Sequence, residues 1–190
     1  MSDEIRILGI AGSVRKDSYN RAALRAAQQL VPPGATLELF ELDATVPGYD
    51  QDAEQNPPAG IVRLKEALGR SDAVLFATPE YNYSIPGILK NAIDWASRPY
   101  GQSAWAGKTA AIMGASIGAI GTARAQYHLR QVLVFLDMQA VLQPEVMIGT
   151  ASQRFDDQGN LTDDKTRELI GKQLQQLVKL TRQLRAGAAA

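Results

Sequence analysis

Five short, mainly apolar runs constrain this chain more than any other feature. They fall at Ile5–Ile10, Leu37–Leu42, Ala73–Thr78, Thr109–Gly114 and Val141–Met147. An unbroken apolar run is the pattern of a strand covered on both faces, as in a parallel sheet. Helical patterns separate the runs: Asn20–Leu30, Ala59–Gly69, Pro86–Ala96, Thr122–Leu136 and Asp163–Leu184. The last carries Ile170, Leu174, Leu177, Thr181 and Leu184 on one stripe, at spacings of four and three. Strict alternation of this kind predicts an α/β fold, a five-stranded parallel sheet with helices on both faces. No linker interrupts the 190 residues, so residues 1–190 are expected to form one domain, with Gly187–Ala190 as a frayed tail.

Composition narrows the chemistry. The chain has no cysteine and one histidine, His128. Disulfides, thiolate metal sites, a Cys nucleophile and multi-histidine metal centres are thereby excluded. Twenty basic residues balance twenty acidic ones, which argues against a nucleic-acid partner. The N-terminus shows no basic region followed by an apolar core, and no stretch is apolar for the ~20 residues a membrane helix needs. A cytoplasmic protein without a membrane partner is expected. Chemistry must come from hydroxyls, amides, carboxylates, arginines or a bound cofactor.

In a parallel sheet of this type, ligands sit beyond the carboxyl ends of the strands, where the strand order reverses. Three post-strand loops are rich in the residues such a site needs. The first, Gly12–Asn20, leads into a helix whose free N–H groups and dipole favour an anion. Ser13 and Ser18 add hydroxyls, Asn20 an amide, and Arg15 a fork matching phosphate geometry. The loop equally suits a helix capped by Ser18, with Arg15 and Lys16 in water. It lacks Gly-x-Gly-x-x-Gly and a Gly-Lys-Ser/Thr ending, so neither a dinucleotide grip nor a nucleotide-hydrolysing loop is expected. A lone terminal phosphate fits better than a pyrophosphate.

The second loop, Thr78-Pro79-Glu80-Tyr81-Asn82-Tyr83-Ser84-Ile85-Pro86-Gly87, sets two tyrosines and an asparagine between prolines. Proline stiffens the backbone, and a stiff loop with amides and aromatic edges suits a planar heteroaromatic ligand. It also suits a plain strand–helix connection whose tyrosines pack on neighbours. The third loop, Gly114–Gly121, lets backbone approach a ring closely, or simply turns where glycine is required.

The pattern Gly12-Ser13-x-Arg15-x-x-Ser18-x-Asn20 is followed by Pro79-Glu80-Tyr81-Asn82 and by Leu89-Lys90-Asn91-Ala92-Ile93-Asp94-Trp95. In order, spacing and strand context it resembles the NADPH-dependent FMN reductase family, and within it the chromate and quinone reductases. The resemblance runs from Ile5 to about Met147. It implies a flavodoxin-like fold, non-covalent FMN and NAD(P)H as co-substrate. It further implies that Ser13, Arg15, Ser18 and Asn20 hold the phosphate, and that Pro79, Glu80, Tyr81 and Asn82 line the ribityl chain and ring. Ser116 and Gly118 would sit near the ring's polar edge. The family often carries a glycine pair before the helix Arg, where this chain has Gly121-Thr122-Ala123-Arg124.

The resulting expectation is an oxidoreductase passing hydride from NAD(P)H to flavin and on to quinones or similar acceptors (chromate, azo compounds, free flavin), by a ping-pong mechanism. No catalytic residue beyond the flavin is needed. The alternatives are a flavodoxin-type FMN electron carrier, which neutral net charge and Arg15 oppose, and a phosphate-ester enzyme, which lacks a nucleophile–base pair. His128 has no carboxylate or serine placed beside it by the sequence and reads as a packed or solvent-facing residue. Arg98, Lys108, Arg124 and Arg130 are expected to form a basic rim that draws anionic substrates. Ile88 and Trp95 fall outside the core stripe of their helix, so a homodimer or homotetramer is expected. Trp95 would be buried between subunits, with Arg124 and Tyr127 near a contact.

Overall fold

Successive side chains of a strand point to opposite faces of its sheet, and here both faces are apolar. The computed structural model describes residues 4–188. Strand β1 (Ile5–Ala11) sends Ile5, Ile7 and Ala11 to one core and Leu8 and Ile10 to the other. Strands β3 (Ala73–Ala77) and β4 (Thr109–Ala115) are buried throughout and divide their side chains likewise. The first core is closed by helices α1 (Tyr19–Gln28) and α5 (Asp164–Ala188). The second is closed by α2 (Ala59–Gly69), α3 (Gly87–Ala96) and α4 (Ala123–Phe135).

Strand β2 (Ala35–Phe40) lies at one edge and pairs with β1 from Ile5↔Ala35 to Ile10↔Phe40. It ends two residues earlier than the apolar run suggests, because Glu41 and Leu42 leave the ladder. The order is β2-β1-β3-β4-β5, all parallel, with β1 and β3 flanking the point where the order reverses. This is the flavodoxin-like arrangement.

The fifth strand position departs from expectation. Instead of one strand over Val141–Met147 there are two short ones, β5 (Gln139–Ala140) and β6 (Val146–Ile148), both parallel to β4. Pro144 interrupts them, since proline has no N–H for the ladder. Gln173 of α5 fills the gap: its Nε2 donates to Ile112 O and Pro144 O, each at 3.0 Å. The terminal helix also runs past the expected Leu184 and includes Gly187 and Ala188. The rest of the expected tail, Ala189 and Ala190, lies outside the described residues.

Trp95 corrects a second expectation. It is 1% exposed within a single chain. The connection after β2 folds back over the outer side of α3, where Trp95 Nε1 donates to Pro47 O at 3.1 Å. The Tyr49 ring meets the indole edge-on at 5.2 Å between centroids. Ile88 is half-buried under the same connection, beside Leu42 and Val46. Surface that helix periodicity assigned to a partner is therefore covered by the chain itself.

Candidate functional site

The loops after β1, β3 and β4 emerge side by side at the carboxyl end of the sheet, and short-range bonds tie them together. Gly12 N donates to Ala77 O at 2.9 Å, and Thr78 N to Met113 O at 3.0 Å. A Cβ on Gly12 would come within 3.3 Å of the Pro79 ring, so the first two loops are in contact. Asn20 joins the first loop to the third. Its Nδ2 donates to Ala115 O and its Oδ1 accepts from Ala115 N, both at 2.9 Å, in a side chain 2% exposed.

That pair of hydrogen bonds staples the start of α1 to the end of β4 and leaves the second Nδ2 proton of Asn20 without an acceptor among the described residues. The other members of the first loop also keep free donors. Ser18 caps α1 by accepting from Asn20 N at 3.2 Å, which leaves its hydroxyl proton to donate elsewhere. Ser13 is 8% exposed and accepts from Arg15 N at 3.3 Å, with its proton likewise free. Arg15 is exposed; its guanidinium donates to Asp17 O and lies 5.9 Å from the Tyr19 ring centroid. The amides of Val14, Lys16, Asp17 and Tyr19 find no acceptor among the described residues. Unpaired amides, two hydroxyl protons and a guanidinium at a helix N-terminus form a receptor for a phosphate-sized anion. Beside it, towards β2, opens a hollow of about 250 Å³ lined by Ser13, Val14, Arg21, Phe40 and Glu41 among others.

The second loop is a tight hairpin. Tyr81 N donates to Ser84 O and Ser84 N to Tyr81 O, each at 3.0 Å. Asn82 and Tyr83 between them have φ of 51° and 66°. Two consecutive left-handed residues define a type I′ turn, common for Asn but strained for Tyr. Tyr81 and Tyr83 are 53% and 69% exposed, and Asn82 is exposed too. Pro79 is buried under the loop.

The Glu80 side chain does not project from this loop into solvent. Its carboxylate, 5% exposed, turns into the N-terminus of α4. Oε2 accepts from Arg124 N at 3.1 Å and Ala125 N at 3.2 Å, and Oε1 pairs with the Arg124 guanidinium. The helix makes no cap bond through Thr122, so a residue distant in sequence supplies the cap. Arg124 in turn lies over the Tyr83 ring, 3.6 Å from its centroid.

In the third loop Ser116 Oγ accepts from Gly118 N at 3.1 Å, and Gly118 O accepts from Thr150 N at 3.1 Å. Ser116 is half-buried and Gly118 exposed, both beside the other two loops through Asn20 and Ala115. Gly114 is obligatory at the loop's base: a Cβ there would sit 1.8 Å from Thr122 Oγ1 and 2.4 Å from Thr78 O.

One expectation fails: the four basic residues do not form one rim. Lys108 lies at the opposite end of the sheet and donates to Ser71 O at 2.8 Å; burial lowers its pKa. Arg98 is within 3.8 Å of Glu54, and Arg130 donates to Val141 O at 2.9 Å. Only Arg124 stands at the site. His128 is exposed, in keeping with a solvent-facing residue, but it does have a serine beside it: Ser84 Oγ and His128 Nδ1 are 2.7 Å apart. The two are 44 positions apart in sequence, and only the packing of the second loop on α4 brings them together.

A doubly covered parallel sheet with an anion receptor after β1 and aromatic, amide-rich loops after β3 and β4 is a flavodoxin-like binding fold. The comparisons carry this to a family. The model of the NADPH-dependent FMN reductase family matches residues 5–153. The chain is 58% identical over 187 residues to an NAD(P)H-dependent FMN reductase of Pseudomonas aeruginosa, covering 97% of this chain and 100% of that one. It is 49% identical over 171 residues to a quinone reductase of Pseudomonas putida, covering 90% and 91%. The structure of FerB, a flavoenzyme NAD(P)H:(acceptor) oxidoreductase from Paracoccus denitrificans, superposes with a TM-score of 0.84 at 38% identity, over 94% and 98% of the two chains. This chain belongs to the NADPH-dependent FMN reductase family. It is an oxidoreductase that works with non-covalent FMN and NAD(P)H.

Proposed function

We propose that the chain, as a single cytoplasmic domain, takes hydride from NAD(P)H onto bound FMN and passes it to quinones. Chromate, azo compounds and free flavin are further acceptors of the same class. The observation that carries the reading is the convergence of the donor-rich loop after β1 with the Tyr81–Ser84 hairpin and the Ser116–Gly118 turn. When bound, FMN supplies the hydride-accepting and hydride-donating chemistry. The protein's residues bind and orient. The Ser13 and Ser18 hydroxyls, the free amides from Val14 to Tyr19 and the Arg15 guanidinium hold the phosphate. The Tyr81–Ser84 hairpin, seated on Pro79, presents amides and an aromatic wall to the ring. Ser116, whose proton is uncommitted, donates at the ring's polar edge next to Gly118.

One flavin served by one cleft favours one substrate at a time, which supports a ping-pong mechanism. The test is in two parts. Anaerobic NADPH alone should bleach the visible flavin absorbance of the loaded protein, and initial rates at varied NADPH and quinone should give parallel double-reciprocal lines. Failure to bleach would leave only an electron carrier, and intersecting lines would end the ping-pong reading.

A homodimer or homotetramer is also proposed, on a revised surface. With Trp95 covered by its own chain, the exposed apolar residues of α4 and the segment after it are Tyr127, Val134, Phe135 and Leu142, at 52%, 81%, 69% and 75%. Patches of this kind mark interfaces. Val134→Glu should lower the mass found by light scattering, and an unchanged mass rules this face out.

A further inference from the structure

The second loop is fastened to α4 at two points, one on each side of its strained turn. Ahead of the turn, Glu80 accepts from the amides of Arg124 and Ala125. Behind it, Ser84 Oγ meets His128 Nδ1 at 2.7 Å. Residues 124 and 128 stand four apart on the helix, which places the anchors about 6 Å apart along its axis. Between them Arg124 stacks on Tyr83. The helix beneath is itself immobilised, since Ala125, Leu129 and Leu133 are at most 1% exposed.

A single anchor would leave the hairpin free to swing about it; two anchors a helical turn apart remove that freedom. The strained residue is what needs holding. A tyrosine at φ 66° persists only where its surroundings over-determine it. Relaxing it would move both exposed tyrosine rings and the amides between them.

We propose that His128 is a positioning residue which, through Ser84, holds the Tyr81–Ser84 hairpin in the left-handed conformation that presents its face to the flavin ring. This rests on the FMN reading above, but the conformational part does not require flavin. Ser84 can donate to a neutral imidazole nitrogen, so a side chain with an acceptor at the same reach preserves the tie. One without an acceptor breaks it.

The experiment uses the full chain with and without flavin. In the flavin-free protein, amide exchange at Tyr81 and Ser84 is followed for wild type, Ser84→Ala, His128→Leu, His128→Gln and the Ser84→Ala/His128→Leu double variant. The first two single variants should exchange about fivefold faster there, the equivalent of about 1 kcal/mol for one neutral hydrogen bond. Amides of β4 should not change. His128→Gln should restore most of the protection. In binding titrations, FMN and riboflavin should weaken by the same factor of about five, because the ring and not the phosphate is affected. The double variant should lose no more than the worse single one. Unchanged exchange, additive losses, or a loss confined to FMN would each overturn the proposal. If wild type binds neither flavin, the FMN reading fails while the exchange result still judges the tie.

Discussion

Replacing Glu80 is the sharpest test of how the site is held together, because its carboxylate caps α4. The side chain is 5% exposed and satisfies two amides at 3.1 and 3.2 Å that have no other cap. Hydrogen bonds to a charged group contribute about 1.5–3 kcal/mol each, and the helix dipole adds up to about 2 kcal/mol in partly buried positions. Water reaching the vacated space offsets part of this, so Glu80→Ala should cost about 3 kcal/mol. Unfolding entropy of ~2.1 cal/mol/K per residue gives about 0.4 kcal/mol/K for 190 residues, hence a Tm lowered by about 8 °C. Glu80→Gln keeps an oxygen for the two amides but loses the charge and the acceptor that meets the Arg124 guanidinium, so an intermediate loss of about 4–5 °C is expected. Arg124→Ala should cost less than Glu80→Ala, since that guanidinium is 43% exposed and the two amides keep their acceptor. Scanning calorimetry of flavin-free protein measures all three. Equal losses for the Gln and Ala variants, or a shift under about 2 °C for Ala, would refute the capping argument.

Arg15→Ala should weaken FMN about 10- to 100-fold while riboflavin binding stays the same, and equal losses in paired titrations would show that Arg15 does not meet the phosphate. Gly114→Ala should cost about 3 kcal/mol in denaturant unfolding, and Thr122→Ala should rescue it only in part, since Thr78 O stands 2.4 Å from the new Cβ. Asp163 accepts from the Thr166 hydroxyl at 2.5 Å and its amide at 2.8 Å, which hold its pKa below the ordinary 3.8. A carboxyl depressed in the folded state contributes stability that is complete above its ordinary value and is lost as pH falls through the lowered one. Asp163→Ala should therefore cost about 1 kcal/mol at pH 7, and Asp163→Asn should flatten the acid limb of the stability curve while keeping the cap.

The strands, the helices and their order were legible because burial on both faces writes a local, unbroken apolar run, and a helix against a sheet writes a stripe. The cluster of donors in the first loop was legible for a similar reason: they are neighbours in sequence, and a post-strand helix N-terminus presents them together. The break between β5 and β6 was half-visible in Pro144, but its repair by Gln173 depends on how α5 lies across the sheet. Where a side chain's role depends on what crosses it from elsewhere in the chain, sequence spacing was silent or misleading. Trp95 lies outside its helix's core stripe and yet is buried, because the connection through Pro47 and Tyr49 returns over it. Asn20 and Glu80 carry the polar atoms a ligand site needs, and the fold engages them first at Ala115 and at the start of α4. The Ser84–His128 contact spans 44 positions and exists only because a strained hairpin docks on that helix. Local pattern thus determined the elements and the anion loop. Tertiary packing decided which polar atoms remain free to act, since buried polar groups must find partners and take the nearest ones the fold offers.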